Sequence, residues 1–265
     1  MVKKQKTIKK RFKPKLTHHI KPTLSHTHLI RSWPKDYPFY KKIIPQLLYL
    51  LHGVIVHEKH SLLTKEDMFK ANLKLRKGDF ILTGNLHEIT SLLIGGAVTH
   101  AAIYIGKRTF VQATGDKGVH FTTLHQIFTS HDTFAILRIP KKVKNRNQII
   151  KKAITFAHKQ IGKEYDYFFK DGESKYFCSE LVNSCYHHAG YKTGLRSVKP
   201  AHSWEAKLIK KATGALKALR PEHMINGKFK VVFLSHNLKL RNNKLILHED
   251  SHKETLQHFK KQLIR

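Results

Sequence analysis

A chain of 265 residues is long enough for one well-buried domain with extensions, and 40% hydrophobic with 10% aromatic content excludes a wholly disordered polyelectrolyte. Fifty Lys and Arg against eighteen Asp and Glu give a formal charge of +32, read either as a solvated surface or as attraction to phospholipid, nucleic acid or acidic glycan. The two cysteines, Cys178 and Cys185, lie seven residues apart on one expected helix and cannot bridge, which excludes a disulfide framework.

Residues 1–42 carry thirteen Lys and Arg against Asp36, broken by Pro14, Pro22, Pro34 and Pro38, and are expected to form a basic arm that is disordered when free. The fourteen-residue run from Ile43 to Val56 contains Pro45 and His52 and is too short to cross a bilayer. It reads as a buried helix in an N-terminal helical extension over 43–72, with a membrane-surface helix behind the basic arm as the alternative. It does not read as a secretory signal, so the chain is expected to be cytoplasmic or peripheral to a membrane.

From Leu73 the texture changes to short apolar runs punctuated by glycine. GDFILTG (78–84), THAAIYIG (99–106), TFVQAT (109–114) and FAILRIP (134–140) read as strands, and FKVVFL (229–234) returns to the same sheet. Ile149, Ile150, Ala153, Ile154, Ala157 and Ile161 recur at helical spacing, with Asn145 or Asn147 as the cap. A second helix is expected from Cys178 to His188, closed by Gly190. The fold class is therefore α+β: a small antiparallel sheet packed against helices, in a domain spanning 73–235. SWEAKLIKKATGALKAL (203–219) has helical character, and 236–265 forms a basic C-terminal extension with weak amphipathicity around Leu256, Phe259 and Leu263.

Cys178 opens its helix, where aligned peptide dipoles and unpaired amide protons favour a thiolate and lower a thiol below its free value of about 8.5. Cys185 is read as a small buried hydrophobe. A nucleophilic thiol needs an imidazole within reach, and the imidazole needs an acceptor on its second nitrogen. His100 begins a strand on which His100, Ala102 and Tyr104 share one face and Ala101, Ile103 and Ile105 point into an apolar layer. A three-residue loop over Gly106 to Arg108 sets Gln112 opposite Ala102 and diagonally beside His100, whereas a two-residue turn sends Gln112 to the other face. Gly84, Gly95 and Gly96 flank the loop before the histidine strand. They serve either close backbone approach to a substrate or turn formation alone.

The ordered blocks GDFIL, THAAIYIG with FVQA, GKEYD and YFCSELV, covering roughly 73–235, resemble the circularly permuted papain-like cysteine amidases, relatives of NlpC-type peptidases and lecithin retinol acyltransferase-like enzymes. The resemblance implies Cys178 as nucleophile, His100 as general base and Gln112 as the residue that orients the histidine. Permuted members often carry glutamate where Gln112 stands, and an amide supports an imidazolium less than a carboxylate does. Tyr165 is a candidate for lining the site or donating to an oxyanion, with a packed tyrosine as the plain alternative. The backbone amide of Cys178 is a second donor. The expected chemistry is cleavage of an amide in a peptide or cell-wall-type peptide, with lipid acyl hydrolysis or transfer as the nearest variant. A weakly active module that binds an anionic membrane or nucleic acid is the competing reading. No cofactor or metal is expected, because neither an HExxH pair nor paired-cysteine spacing occurs. GxxxxGK[ST] and GxSxG runs are also absent.

Overall fold

A computed structural model describes residues 63–85, 96–167, 174–198 and 218–248, together with isolated positions at 23–24, 39, 42–43, 46–47 and 54–55. The strands β1 (Phe80–Gly84), β2 (His100–Gly106), β3 (Thr109–Thr114), β4 (Gly118–Thr123), β5 (Thr133–Arg138) and β8 (Lys230–Leu234) form a six-stranded sheet. Its order is β8-β5-β1-β2-β3-β4, and every pairing is antiparallel. The expected strands are all present. The α+β architecture read from the sequence, an antiparallel sheet packed against helices, is the one observed.

Helices α3 (Arg146–Lys159) and α4 (Cys178–His188) cover one face of the sheet, over a core that includes Leu82, Ala101, Ile103, Val111, Ala153 and Leu181. Helices α1 (Lys65–Lys74) and α2 (Leu124–Ser130) cover the other, over Ile81, Ala102, Phe110, Ile127 and Phe134. Residues pointing both ways along β1 are therefore fully enclosed, Phe80, Ile81 and Leu82 all at 0% exposure. The face shared by His100, Ala102 and Tyr104 is thus a second core beyond the histidine, and only the start of β2 leaves it. Helix α2 is begun by a capping box, the Thr123 hydroxyl accepting from the Gln126 amide while the Gln126 side chain accepts from Thr123.

Asn145 precedes α3 in the left-handed conformation, at φ 55°, and its side chain makes no capping bond. Asn147 lies inside the helix. Two short strands, β6 (Glu164–Tyr165) and β7 (Lys175–Tyr176), pair in parallel and deliver the chain to α4. Tyr176 and Tyr186 are fully buried, and the Tyr186 hydroxyl donates to the carbonyl of Gly78, tying α4 to the entry of β1. After β8 the chain forms a hairpin of β9 (Leu238–Arg241) and β10 (Lys244–Leu247), turned through Asn242 and Asn243 at φ 49° and 55°. It returns Leu238 and Leu245 to the core, an ordered role for the start of a stretch read only as a basic extension.

Parts of the N-terminal reading are altered. Ile43 and Leu47 stand in helical turns but are 58% and 55% exposed, so these two positions do not fit a buried helix. Val54–Ile55, from the end of that run, pair as a short strand with Thr23–Leu24 of the basic arm. Most of 203–219 and the positions around Leu256, Phe259 and Leu263 lie outside the described residues, although Ala218 bridges to Val198 in an extended conformation. Among the described residues, no helix is long and apolar enough to cross a membrane.

Candidate functional site

The β2–β3 hairpin decides whether His100 and Gln112 share a face. Its loop is the two-residue kind, with Lys107 and Arg108 at φ 51° and 58° and Gly106 pairing with Thr109. Alone, that loop would send Gln112 to the wrong face. A bulge between Tyr104 and Gly106 shifts the register by one residue, so that Ala102 pairs with Gln112. The bulge supplies the offset that the sequence reading assigned to a longer loop. Gly106, at φ +106°, takes a conformation open to few other residues.

On this register the His100 Nε2–H donates to Gln112 Oε1 across 2.9 Å. In the neutral imidazole this leaves the lone pair on Nδ1, the nitrogen able to take a proton from a thiol. Gln112 is 8% exposed and His100 half-buried. The His131 ring, just past α2, stacks on the His100 ring at a centroid distance of 5.6 Å and an interplanar angle of 24°.

Cys178 is the first residue of α4. Its N-cap, Phe177, supplies no side-chain bond, so the orphan amides of the first turn are not capped from that position. The Ser179 hydroxyl donates to the carbonyl of Leu219 and fixes the helix start against the chain leading to β8. Helix α4 packs on β2 and β3, and the Cys178 sulfur takes a hydrogen bond from the backbone of Ala101, next in sequence to His100. The structure thus joins His100 to Gln112 directly and sets the thiol one residue along the same strand.

The expected depressed thiol is corrected. Cys178 is only 6% exposed, and burial pushes its pKa up, outweighing the hydrogen bonds from the Ala101 and Ser179 backbones that act the other way. The resting group is a neutral thiol that needs a base. Cys185, at 0% exposure, is pushed up by burial with little to oppose it, in keeping with a core role.

Tyr165 is half-buried, its ring edge-on to Tyr167 at 5.1 Å and packed against the core. Gly96 approaches a side chain of the protein itself, since a Cβ there would lie 2.9 Å from the Glu222 carboxylate. Gly95 lies outside the described residues. His120 and His131 were not singled out in the sequence. His120 pairs directly opposite Gln112, a position that follows from closing the β3–β4 hairpin around the glycine-framed GDKG turn.

An antiparallel sheet with a cysteine helix packed on it, the histidine-bearing strand preceding that helix in the chain, defines a papain-like fold in permuted order. Residues 74–215 match the family model described as "Permuted papain-like amidase enzyme, YaeF/YiiX, C92 family". The chain belongs to this family, and it is a cysteine hydrolase of the amidase and peptidase type. A solved structure titled metalloprotein yiiX from Escherichia coli O157:H7, DUF1105, shares the fold. It has 17% identity and a TM-score of 0.50 over 60% of this chain and 97% of that one. No match was found among curated proteins. Among the described residues of this chain, no three His, Cys, Asp or Glu side chains are grouped to hold a metal ion.

Proposed function

We propose that the enzyme hydrolyses an amide bond in a peptide or cell-wall-type peptide through an acyl-enzyme on Cys178, with His100 as base and Gln112 as its orienter. The hydrogen bond from His100 Nε2 to Gln112 Oε1 carries this reading, because it selects the tautomer with its lone pair on Nδ1. Nδ1 takes the thiol proton as sulfur attacks the carbonyl carbon. The oxyanion that forms is met by amides of the α4 first turn, that of Cys178 among them. Collapse breaks the C–N bond, and the leaving amine takes the proton back from Nδ1. Water then adds to the thioester with Nδ1 again as base, releasing the acid and restoring the thiol. A neutral orienter suits a site whose resting thiol is itself neutral, since no preformed imidazolium has to be held. Tyr165 is assigned to the substrate side of this site, the role the sequence reading also gave to Gly95 and Gly96. A panel of blocked dipeptide amides and matched esters tests the reading. Steady hydrolysis preceded by a burst of first product equal to the enzyme concentration is expected, and no turnover on any member would refute it.

A second reading is added by the outer face of α3. An open groove of about 500 Å³ there is lined by Lys151, Lys152, Lys159 and His188 together with Gln148, Thr155 and Phe156, and includes no acidic side chain. Together with the +32 charge, it supports attachment of the enzyme to an anionic membrane. Co-sedimentation with phosphatidylserine vesicles, lost at high salt and weakened by K151E/K152E, is the expected result. Equal recovery with neutral vesicles would count against it.

A further inference from the structure

We infer that His120 is a positioning residue that decides which end of the Gln112 amide faces His100, and so which nitrogen of His100 can act as base. This inference rests on the catalytic reading above. Gln112 lies between two imidazoles, its Oε1 2.9 Å from His100 Nε2 and its Nε2 3.1 Å from His120 Nε2. The other nitrogen of His120, Nδ1, is 3.0 Å from the carbonyl oxygen of Gly118. A carbonyl only accepts, so His120 carries its proton on Nδ1 and presents a lone pair at Nε2. Only the NH₂ end of the amide can meet that lone pair, so the oxygen is turned toward His100 and takes the proton on its Nε2. The inverted amide would put NH₂ against His100 Nε2 and force the His100 proton onto Nδ1, the tautomer that cannot accept from a thiol.

The anchor of this relay is rigid. Gly118 sits at φ +65°, and a Cβ there would lie 2.2 Å from the carbonyl oxygen of Lys163. On either side of that contact the Val119 amide donates to the Lys163 carbonyl and the Gly162 amide to the Val119 carbonyl, each at 2.8 Å. The β3–β4 register that places Gln112 opposite His120 is unbroken from Thr109 to Thr114. A carboxylate at position 112 would need no such relay, since both of its oxygens accept. The amide, with one donor end and one acceptor end, does.

The test exchanges donor and acceptor at position 120. His120→Lys, which only donates, is expected to lower kcat at least about ten-fold with KM nearly unchanged, while His120→Glu, which only accepts, keeps most of the activity. In a Gln112→Glu background the same H120K change is expected to cost less than about three-fold, because the carboxylate accepts from both sides. An equal loss in both backgrounds, or an H120K enzyme within about two-fold of the parent, overturns the inference. Nitrogen-15 NMR of labelled histidines in the unaltered protein gives a readout independent of turnover and of variant folding. Protons on His100 Nε2 and His120 Nδ1 are expected, and the reverse pair of tautomers overturns the inference even if no substrate is ever cleaved.

Discussion

Cys178→Ala is expected to lower turnover of amide and ester substrates by about four orders of magnitude or more, leaving the fold intact. The thiol supplies the bond-forming atom, and orienting residues cannot replace it. Cys185→Ala separates this from a general effect of losing a buried sulfur, because Cys185 sits at 0% exposure within the α4 core and should affect stability while sparing kcat. The two thiols should also divide under iodoacetamide, read by peptide mass mapping. Cys178 is expected to be modified at a rate that rises with pH, because burial holds its pKa up and the thiolate is the reacting form. Cys185 should stay unmodified until the protein unfolds. Equal labelling of both in the native state would contradict the assignment.

The largest effect on stability is expected at the opposite end of the same strands. Asp79 is fully buried just before β1, and its two carboxylate oxygens take hydrogen bonds from Arg138 Nε and Nη2, each at 2.7 Å. The Arg76 amide adds a third, at 2.7 Å, and the same guanidinium donates to the carbonyl of Lys74 at the end of α1. The pair therefore joins α1, β1 and β5. Asp79→Ala removes the carboxylate and strands the arginine, at an expected cost of about 3–5 kcal/mol in urea unfolding. Replacing both Asp79 and Arg138 with apolar residues should cost less than Asp79→Ala alone. Whatever variant stays folded should keep its catalytic constants, since Phe80 pairs with Ile103 while Thr83 pairs with His100 at the far end. A loss below about 1 kcal/mol would show the pair to be a minor contributor.

Five of the six sheet strands and the α4 boundaries were legible because apolar runs and glycine stops are local signals, whereas Gly118–Thr123 was not read. Cys178–His188 with Gly190 at φ +81° is the clearest case. Alternation along β2 was less reliable, since it presumes one wet face and Ala102 and Tyr104 face a second core. The pairing of His100 with Gln112 could be read only conditionally. Loop length alone gave the wrong parity for a two-residue turn, and the bulge that restores it is a property of the twisted ladder with no residue signature beyond Gly106. The neutral resting thiol was also out of reach, because a helix N-terminus is visible in sequence while the depth at which it is buried is not. His120 went unread among twenty-one histidines because the strand carrying it follows a turn that had not been closed.

The central claim is that Cys178 carries the acyl group, and the most direct measurement is the mass of the enzyme quenched in acid during turnover of an activated ester or amide. A single acyl adduct that maps to the Cys178 peptide, decays with the rate of turnover and disappears in Cys178→Ala is the predicted result. An adduct on another residue, or turnover of the same substrate undiminished in Cys178→Ala, would contradict it.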